Sequence, residues 1–197
     1  MALGSRDRLS MIYVGHCRSS EAITVRLDLG SRIPIATTAM GRAYLAALPD
    51  AERTSLLDPM AERLGERWPA VQRSIDEGIE DVRTRGFTVS VGDWQPDVNA
   101  VGAALVAADG SGVFAFNCGA PAYRISRERL EADIGPRLVA MVRNIEAVLN
   151  GSSQLARDQR RTTGGSLSGT IDRRGQDSGQ KNRGQGGTPP QPKAARR

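Results

Sequence analysis

The sequence predicts an α+β domain, in which a mainly antiparallel sheet is flanked by helices, followed by a disordered C-terminal segment. Three observations predict this architecture. Strand patterns come in groups, two before the first helical pattern and three before the last one. Helical patterns follow each group instead of alternating singly with strands, which is typical of α+β domains. The last part of the chain, residues 151–197, has nine Gly and only six apolar residues.

Charge divides the chain at the same point. Of its 197 residues, the first 150 hold 17 Arg and 19 Asp or Glu, a net charge of −2. Residues 151–197 hold ten Lys or Arg and three Asp, a net charge of +7. A domain over residues 1–150 is therefore nearly neutral, and a basic nucleic-acid-binding core is excluded. Residues 151–197 cannot bury enough apolar surface to offset their ordering entropy, so we expect them to be disordered.

Other protein classes are excluded by simpler features. No apolar run approaches the roughly 20 residues of a membrane-spanning helix, and the N-terminus lacks the apolar stretch of a signal peptide. We therefore expect a cytoplasmic protein without a membrane partner. The two cysteines, Cys17 and Cys118, are expected to be reduced and buried. His16 is the only histidine, so we expect no zinc site, and nothing indicates a cofactor.

Strands are predicted over residues 9–17 and 22–29 near the N-terminus, and the second of these alternates apolar with polar residues. Further strands are predicted over 87–91, 98–107 and 113–118. Segment 98–107 is almost continuously apolar, which predicts burial on both of its faces. The Asp-Gly-Ser-Gly sequence that follows it predicts a hairpin turn.

Four helices are predicted, each with a start or stop signal. The first covers 39–48 after Thr37 or Thr38 as N-cap, and the second covers 50–57 with Asp50 as its cap. The third covers 69–85 and stops at Gly86. The last begins after Ser126, is kinked by the Gly-Pro pair at 135–136, and ends near Leu149.

Residues 33–46, IPIATTAMGRAYLA, carry a recognisable motif of an apolar residue, Pro, small residues, Gly, a basic residue and a short apolar run. This motif resembles a segment of the effector-binding domain of IclR-type bacterial transcriptional regulators. Two further stretches match in order and spacing: Arg85-Gly86-Phe87 with 90–105 and the following hairpin to Pro121, and Ile134-Gly135-Pro136. The resemblance spans nearly all of residues 1–150, and residues 151–197 have no counterpart in it.

The resemblance implies a GAF-like effector-binding domain that senses a small organic or aromatic acid and forms a homo-dimer or tetramer. Members of the family contact DNA through an N-terminal winged helix-turn-helix. No helix pair precedes Leu9 here, so we expect these 197 residues to contact DNA only through such a domain, which they do not include. The alternative is an interaction protein that pairs with full-length regulators without sensing a ligand or binding DNA itself.

Six candidate effector-binding residues follow from the resemblance. Unpaired N–H groups and the helix dipole make a helix start an anion site, and the amides of Ala39 and Met40 would take this role. The other candidates are Ser90, Ala100, Asn117 and Gly119, at positions where members that bind small keto acids carry an acidic residue, a cysteine and two serines. Since Ala100 and Gly119 leave more room, we expect a larger carboxylate, such as an aromatic one.

Two alternatives remain open at these positions. Thr37 or Thr38 could simply cap the helix while Met40 packs into the core, or the site could have drifted and bind nothing specific.

An enzyme is not expected. His16 and Cys17 should point to opposite faces of a strand, and Cys118 has no other histidine to activate it. Trp94, with an Asp on either side at 93 and 97, is expected in a solvated loop.

Overall fold

The computed structural model describes residues 1–17, 27–107 and 112–163, with side chains described as far as Gly151. The described residues form a six-stranded sheet with only antiparallel neighbours, in the order β3-β2-β1-β6-β5-β4. The strands are β1 (Ala2–Asp7), β2 (Ser10–His16), β3 (Arg32–Pro34), β4 (Thr88–Val91), β5 (Val98–Val106) and β6 (Val113–Pro121). The predicted α+β architecture is confirmed.

Helices lie between β3 and β4 and after β6. They are α1 (Ala39–Ala47), α2 (Asp50–Leu64), a 3₁₀ turn (Gly65–Arg67), α3 (Trp68–Arg85), the single turn α4 (Arg127–Arg129), a π-helical turn (Leu130–Ile134) and α5 (Gly135–Thr163). Among the described residues, none of these helices combines the length and the apolar character needed to cross a membrane.

Each face of the sheet is covered by a different set of helices. The core on the α1 face contains fully buried residues from β2, β3, α1 and α3, including Met11, Ile33, Met40, Leu45 and Ile75. The core on the α5 face contains Phe87, Val89, Val101, Leu130 and Leu138. Strand β5 is buried on both faces, as its continuous apolar run predicts. The sheet is therefore the middle layer of the domain.

Strand β1, like the short β3, is an element that the sequence pattern did not predict. Its residues, ALGSRD, show no clear apolar alternation, and half of them are polar or charged. The strand forms because its backbone pairs with β2 on one side and β6 on the other. A two-residue turn with Arg8 at φ 58° joins it to β2. Pairing with distant strands thus outweighs the weak local preference.

The strand predicted over residues 22–29 falls mostly on residues 18–26, which lie outside the described part of the chain. The described residues 27–31 lead through a turn, where Gly30 donates its amide to the carbonyl of Tyr13. The strand that pairs with β2 here is the short β3. The turn predicted between β5 and β6 also falls on undescribed residues, 108–111, but the predicted hairpin pairing is confirmed.

Helix α2 differs from its prediction at both ends. It starts at Asp50, with Pro49 as an N-cap that provides no side-chain hydrogen bond, so Asp50 does not cap the helix and instead pairs with Arg53. It continues to Leu64, past the predicted end at residue 57, although Pro59 lies inside it. The reason is tertiary packing: Leu56, Leu57, Met60 and Leu64 recur at helical spacing and pack against the core.

The last helical region has the predicted cap but not the predicted end, and the kink at the Gly-Pro pair stays a prediction. Ser126 accepts a hydrogen bond from the amide of Arg129 at 3.3 Å. A π-helical turn precedes Gly135 and absorbs the irregularity where Pro136 lacks an N–H group. Helix α5 then continues to Thr163, so the predicted end near Leu149 is wrong. Residues 154–157, Gln-Leu-Ala-Arg, favour helix, and one interior glycine at 151 costs only about 1 kcal/mol. The disorder predicted for residues 151–197 is therefore wrong for residues 151–163, which belong to α5, and residues 164–197 lie outside the described part of the chain.

Candidate functional site

A cavity of about 280 Å³ opens between the first turn of α1 and the ends of β1, β2, β5 and β6. The helix start lies close to the sheet there because of Gly102 of β5, which lies directly under the start of α1. A Cβ atom added there would stand 2.3 Å from the carbonyl oxygen of Ala39. The glycine therefore allows the helix start to approach the sheet closely enough to form the cavity wall.

Five of the six predicted site residues line this cavity: Ala39, Ser90, Ala100, Asn117 and Gly119. Strand register explains why they meet. Ser90 pairs with Ala100 across β4 and β5, and Ala100 pairs with Gly119 across β5 and β6, so the three form one row. Asn117 lies two residues before Gly119 and therefore on the same face of β6.

Met40 occupies a different place from the other five. Its side chain is fully buried, faces Gly4 of β1, and does not line the cavity. Thr38 caps the helix, accepting from the amide of Gly41 at 3.1 Å. The helix cap by Thr38 and the packing of Met40 into the core, which the sequence analysis gave as an alternative, are thus both present. They leave the amides of Ala39 and Met40, in the first turn, without an acceptor among the described residues.

Tyr13 is a cavity residue that the sequence reasoning missed. Asn117 donates a hydrogen bond from Nδ2 to the Tyr13 hydroxyl oxygen at 3.2 Å. Burial raises the pKa of Tyr13 above its ordinary value of 10.0, and the hydrogen bond from Asn117 partly offsets this rise. Tyr13 is therefore a neutral hydrogen-bond donor at pH 7. The sequence does contain a signal for this residue, because a tyrosine at an inward-facing position of a strand needs a polar partner for its hydroxyl group.

Trp94 forms part of the cavity wall and is held by the residue before it. Asp93 accepts a hydrogen bond from Nη1 of Arg42 at 2.8 Å. The Arg42 side chain is only 5% exposed, and the same nitrogen donates to the carbonyl of Val89 at 3.3 Å. The loop after β4 does have a partly buried Trp, as expected, but it is tied to helix α1 by this ion pair.

The mouth of the cavity includes His16, Cys17 and Arg124. Cys17 is exposed because β2 ends at His16, so its predicted burial is wrong, and Cys118 is half-buried. Both cysteines are free thiols. Within the described part of the chain, no group of three or more His, Cys, Asp or Glu side chains is placed to hold a metal ion.

The composition of the wall determines what the cavity can bind. Among the described residues that line it, none is Asp or Glu. Hydrogen-bonding groups come from Tyr13, Ser90, Asn117 and the start of α1, and Ser90 donates to the carbonyl of Thr37 at 3.3 Å. The remaining wall is mainly apolar. Such a site suits a small molecule with an apolar body and an anionic end.

Comparison with known proteins gives a consistent family relationship. The family model described as "Bacterial transcriptional regulator IclR C-terminal" matches residues 1–147. The HTH-type transcriptional regulator TsaQ1/TsaQ2 of Comamonas testosteroni is 27% identical over 154 residues, covering 77% of this chain and 55% of that protein.

Solved structures agree with this match. An IclR family transcriptional regulator from Brucella abortus is 42% identical with a TM-score of 0.72, over 75% of this chain and 56% of that one. The PobR inducer-binding domain from Acinetobacter, solved as a double mutant with 3-hydroxybenzoic acid, has a TM-score of 0.57 at 18% identity. It covers 74% of this chain and 86% of the other, and this likeness is one of fold. The chain thus spans just over half the length of the relatives from Comamonas and Brucella.

Proposed function

The chain belongs to the IclR family of bacterial transcriptional regulators and corresponds to the family's C-terminal domain. From that premise we propose that it is an effector-binding domain for a small carboxylate, aromatic acids included. The relatives are transcriptional regulators and not enzymes. The proposal therefore concerns recognition of a ligand, with no chemical step.

The observation that carries the proposal is the combination of a wall that has no Asp or Glu among its described residues with free donors at the start of α1. The amides of Ala39 and Met40 lack acceptors among the described residues, and Ala39 lines the cavity. A ligand carboxylate placed there accepts hydrogen bonds from the helix start and interacts favourably with its dipole. Charge-assisted hydrogen bonds of this kind are about twice as strong as neutral ones.

The shape of the cavity supports a ligand larger than a keto acid. Ala100 and Gly119 contribute little side-chain volume, and Trp94 and Ile125 offer flat and apolar surface for a ring. A volume of about 280 Å³ is just below the usual range for ligand pockets, which suits a small ligand with one ring. The PobR inducer-binding domain, which has the same fold, was solved with 3-hydroxybenzoic acid.

The same proposal extends to the protein's wider role. We propose that the domain forms a homo-dimer or tetramer in the cytoplasm and regulates transcription through a winged helix-turn-helix of the kind its family carries. In that arrangement, ligand binding at this domain alters DNA binding elsewhere in the assembly.

A thermal-shift screen against small aliphatic and aromatic acids tests the proposal. A ligand at 100 times its dissociation constant adds about 2.7 kcal/mol to the free energy of unfolding, which is a measurable rise in melting temperature. We expect benzoate-like acids to raise it and their neutral amides to leave it unchanged. If no acid changes it, the alternative of an interaction protein without a sensing role is favoured instead.

A further inference from the structure

A second cavity, of about 350 Å³, lies on the other side of Trp94. It is enclosed by the last turns of α2, the 3₁₀ turn that follows, the segment before α1 and the loop after β4. Its apolar wall comes from Leu9, Met60, Leu64 and Trp94. Among the described lining residues, Trp94 alone is shared with the proposed effector site.

Two arginines, Arg63 and Arg67, border this cavity. Arg63 lies in the last turn of α2 and Arg67 ends the 3₁₀ turn that follows, and both line the cavity. Among the described residues neither forms an ion pair, whereas Arg53, Arg83 and Arg85 on the neighbouring parts of α2 and α3 all do. Their guanidinium groups are therefore available as donors to an anion.

The acidic residue at this cavity does not cancel them. Asp93 borders the cavity, but its carboxylate is paired with the buried guanidinium of Arg42 at 2.8 Å. The net charge of the wall is therefore positive. A planar guanidinium binds a carboxylate through two parallel hydrogen bonds, and two guanidinium groups at one cavity favour an anionic group strongly.

The wall between the two cavities is thin. Trp94 lines both of them. Thr37, which lines the second cavity, accepts a hydrogen bond from Ser90, which lines the first, at 3.3 Å. A ligand in one cavity thus shares a wall residue with a ligand in the other.

We propose that the second cavity is a separate binding site for a small carboxylate with an apolar body. The carboxylate is held by Arg63 and Arg67, and the body packs against Met60, Leu64 and the Trp94 ring. Binding there does not require the effector site to be occupied. The two sites have a wall residue in common, but no hydrogen-bond donor of one site serves the other.

Titration calorimetry with benzoate tests this site, with neutral benzamide as the matched ligand. The wild-type chain is expected to bind two equivalents of benzoate. The double variant Arg63→Gln with Arg67→Gln is expected to bind one, or to bind the second at least about tenfold more weakly, because charged hydrogen bonds to the carboxylate are lost. Arg73→Gln is the control, since Arg73 is exposed on α3 and lines neither cavity. Benzamide is expected to bind the second site in none of these proteins.

A third variant separates this proposal from the effector site. Gly119→Leu fills the first cavity and is expected to retain one equivalent of benzoate, which the two glutamine substitutions then remove. Suppose instead that the wild type binds only one equivalent of benzoate. If Gly119→Leu abolishes that binding and the two glutamine substitutions do not, the second site is refuted and the effector site stands. If only the two glutamine substitutions abolish it, the effector site is refuted. If the two glutamine substitutions lower the stability but leave benzoate binding unchanged, Arg63 and Arg67 only stabilise the end of the helix. That result would also refute the second site.

Discussion

Asn117 and Tyr13 are joined by a 3.2 Å hydrogen bond although their strands, β6 and β2, are not neighbours in the sheet. Strand β1 lies between them, and it places Ala2 opposite Asn117 and Gly4 opposite Tyr13. Ala2, which lines the cavity, leaves space above β1 for the longer side chains to meet, whereas the space above Gly4 is occupied by Met40. Asn117 and Tyr13 therefore form part of the cavity wall, at a place where a larger residue on β1 would fill the space.

Replacing Asn117 with Ala should weaken ligand binding by about 1–3 kcal/mol, because a buried polar partner is left unsatisfied. It should also raise the pKa of Tyr13 further, since the Asn117 hydrogen bond is what lowers it. Calorimetry with benzoate and a tyrosine absorbance titration measure the two effects. Asn144→Ala, an exposed helix position, is the control. An unchanged benzoate affinity would show that Asn117 has no contact with the ligand.

Tyr13 should make the folded state sensitive to alkaline pH. Because burial raises the folded pKa of Tyr13 above 10.0, the stability it contributes is fully present below the unfolded pKa and is lost as pH rises through the folded pKa. As pH rises above the ordinary tyrosine pKa of 10.0, the wild type should lose more free energy of unfolding than Tyr13→Phe. Urea denaturation at several pH values measures this. Tyr123→Phe, at a 71% exposed position, should behave like the wild type; equal pH curves for wild type and Tyr13→Phe would contradict the account.

Gly102→Ala should displace α1 from the sheet. The added Cβ would stand 2.3 Å from the Ala39 carbonyl oxygen and 2.8 Å from the Met40 amide nitrogen, so backbone must move. Overpacking of this kind costs about 1–3 kcal/mol or more, and benzoate binding should fall with it. Gly15→Ala is the matched control, because its nearest atom would be 3.7 Å away. Similar melting temperatures for the two variants would refute the close approach of α1.

Asp93→Asn should leave the buried Arg42 guanidinium without its charged partner. Breaking a fully buried pair costs about 3–5 kcal/mol, and we expect about 2–3 kcal/mol here because the Asp93 side chain is 38% exposed. Chemical denaturation measures the loss. Asp97→Asn, in the same loop and without an ion pair among the described residues, should change stability by less than about 0.5 kcal/mol. The account of the loop fails if the two variants are equally stable.

Sequence patterns predicted the parts of the molecule that depend on local preference or on one strand's own periodicity. Helix α3 with its Gly86 stop, the Thr38 and Ser126 caps, and the doubly buried β5 belong to this group. Strand β1 and the length of α2 could not be predicted in this way, because distant strands and core contacts determine them.

The cavity was predicted unevenly for the same reason. The row Ser90, Ala100 and Gly119 came from a motif resemblance, and strand register brings it together. Tyr13 depends on the small residues of β1, a strand that the pattern did not reveal. The role of the Met40 amide at the ligand stays a prediction, while its side chain packs against β1.

Calorimetry of benzoate and glyoxylate with the wild-type chain and with Gly119→Leu tests the effector site most directly. A side chain at position 119 would start 3.2 Å from the Ala100 Cβ and extend into the cavity. The account predicts that the wild type binds benzoate more tightly than glyoxylate, and that Gly119→Leu removes the equivalent bound at the start of α1. Tighter binding of glyoxylate, or a benzoate titration that Gly119→Leu leaves unchanged, would contradict it.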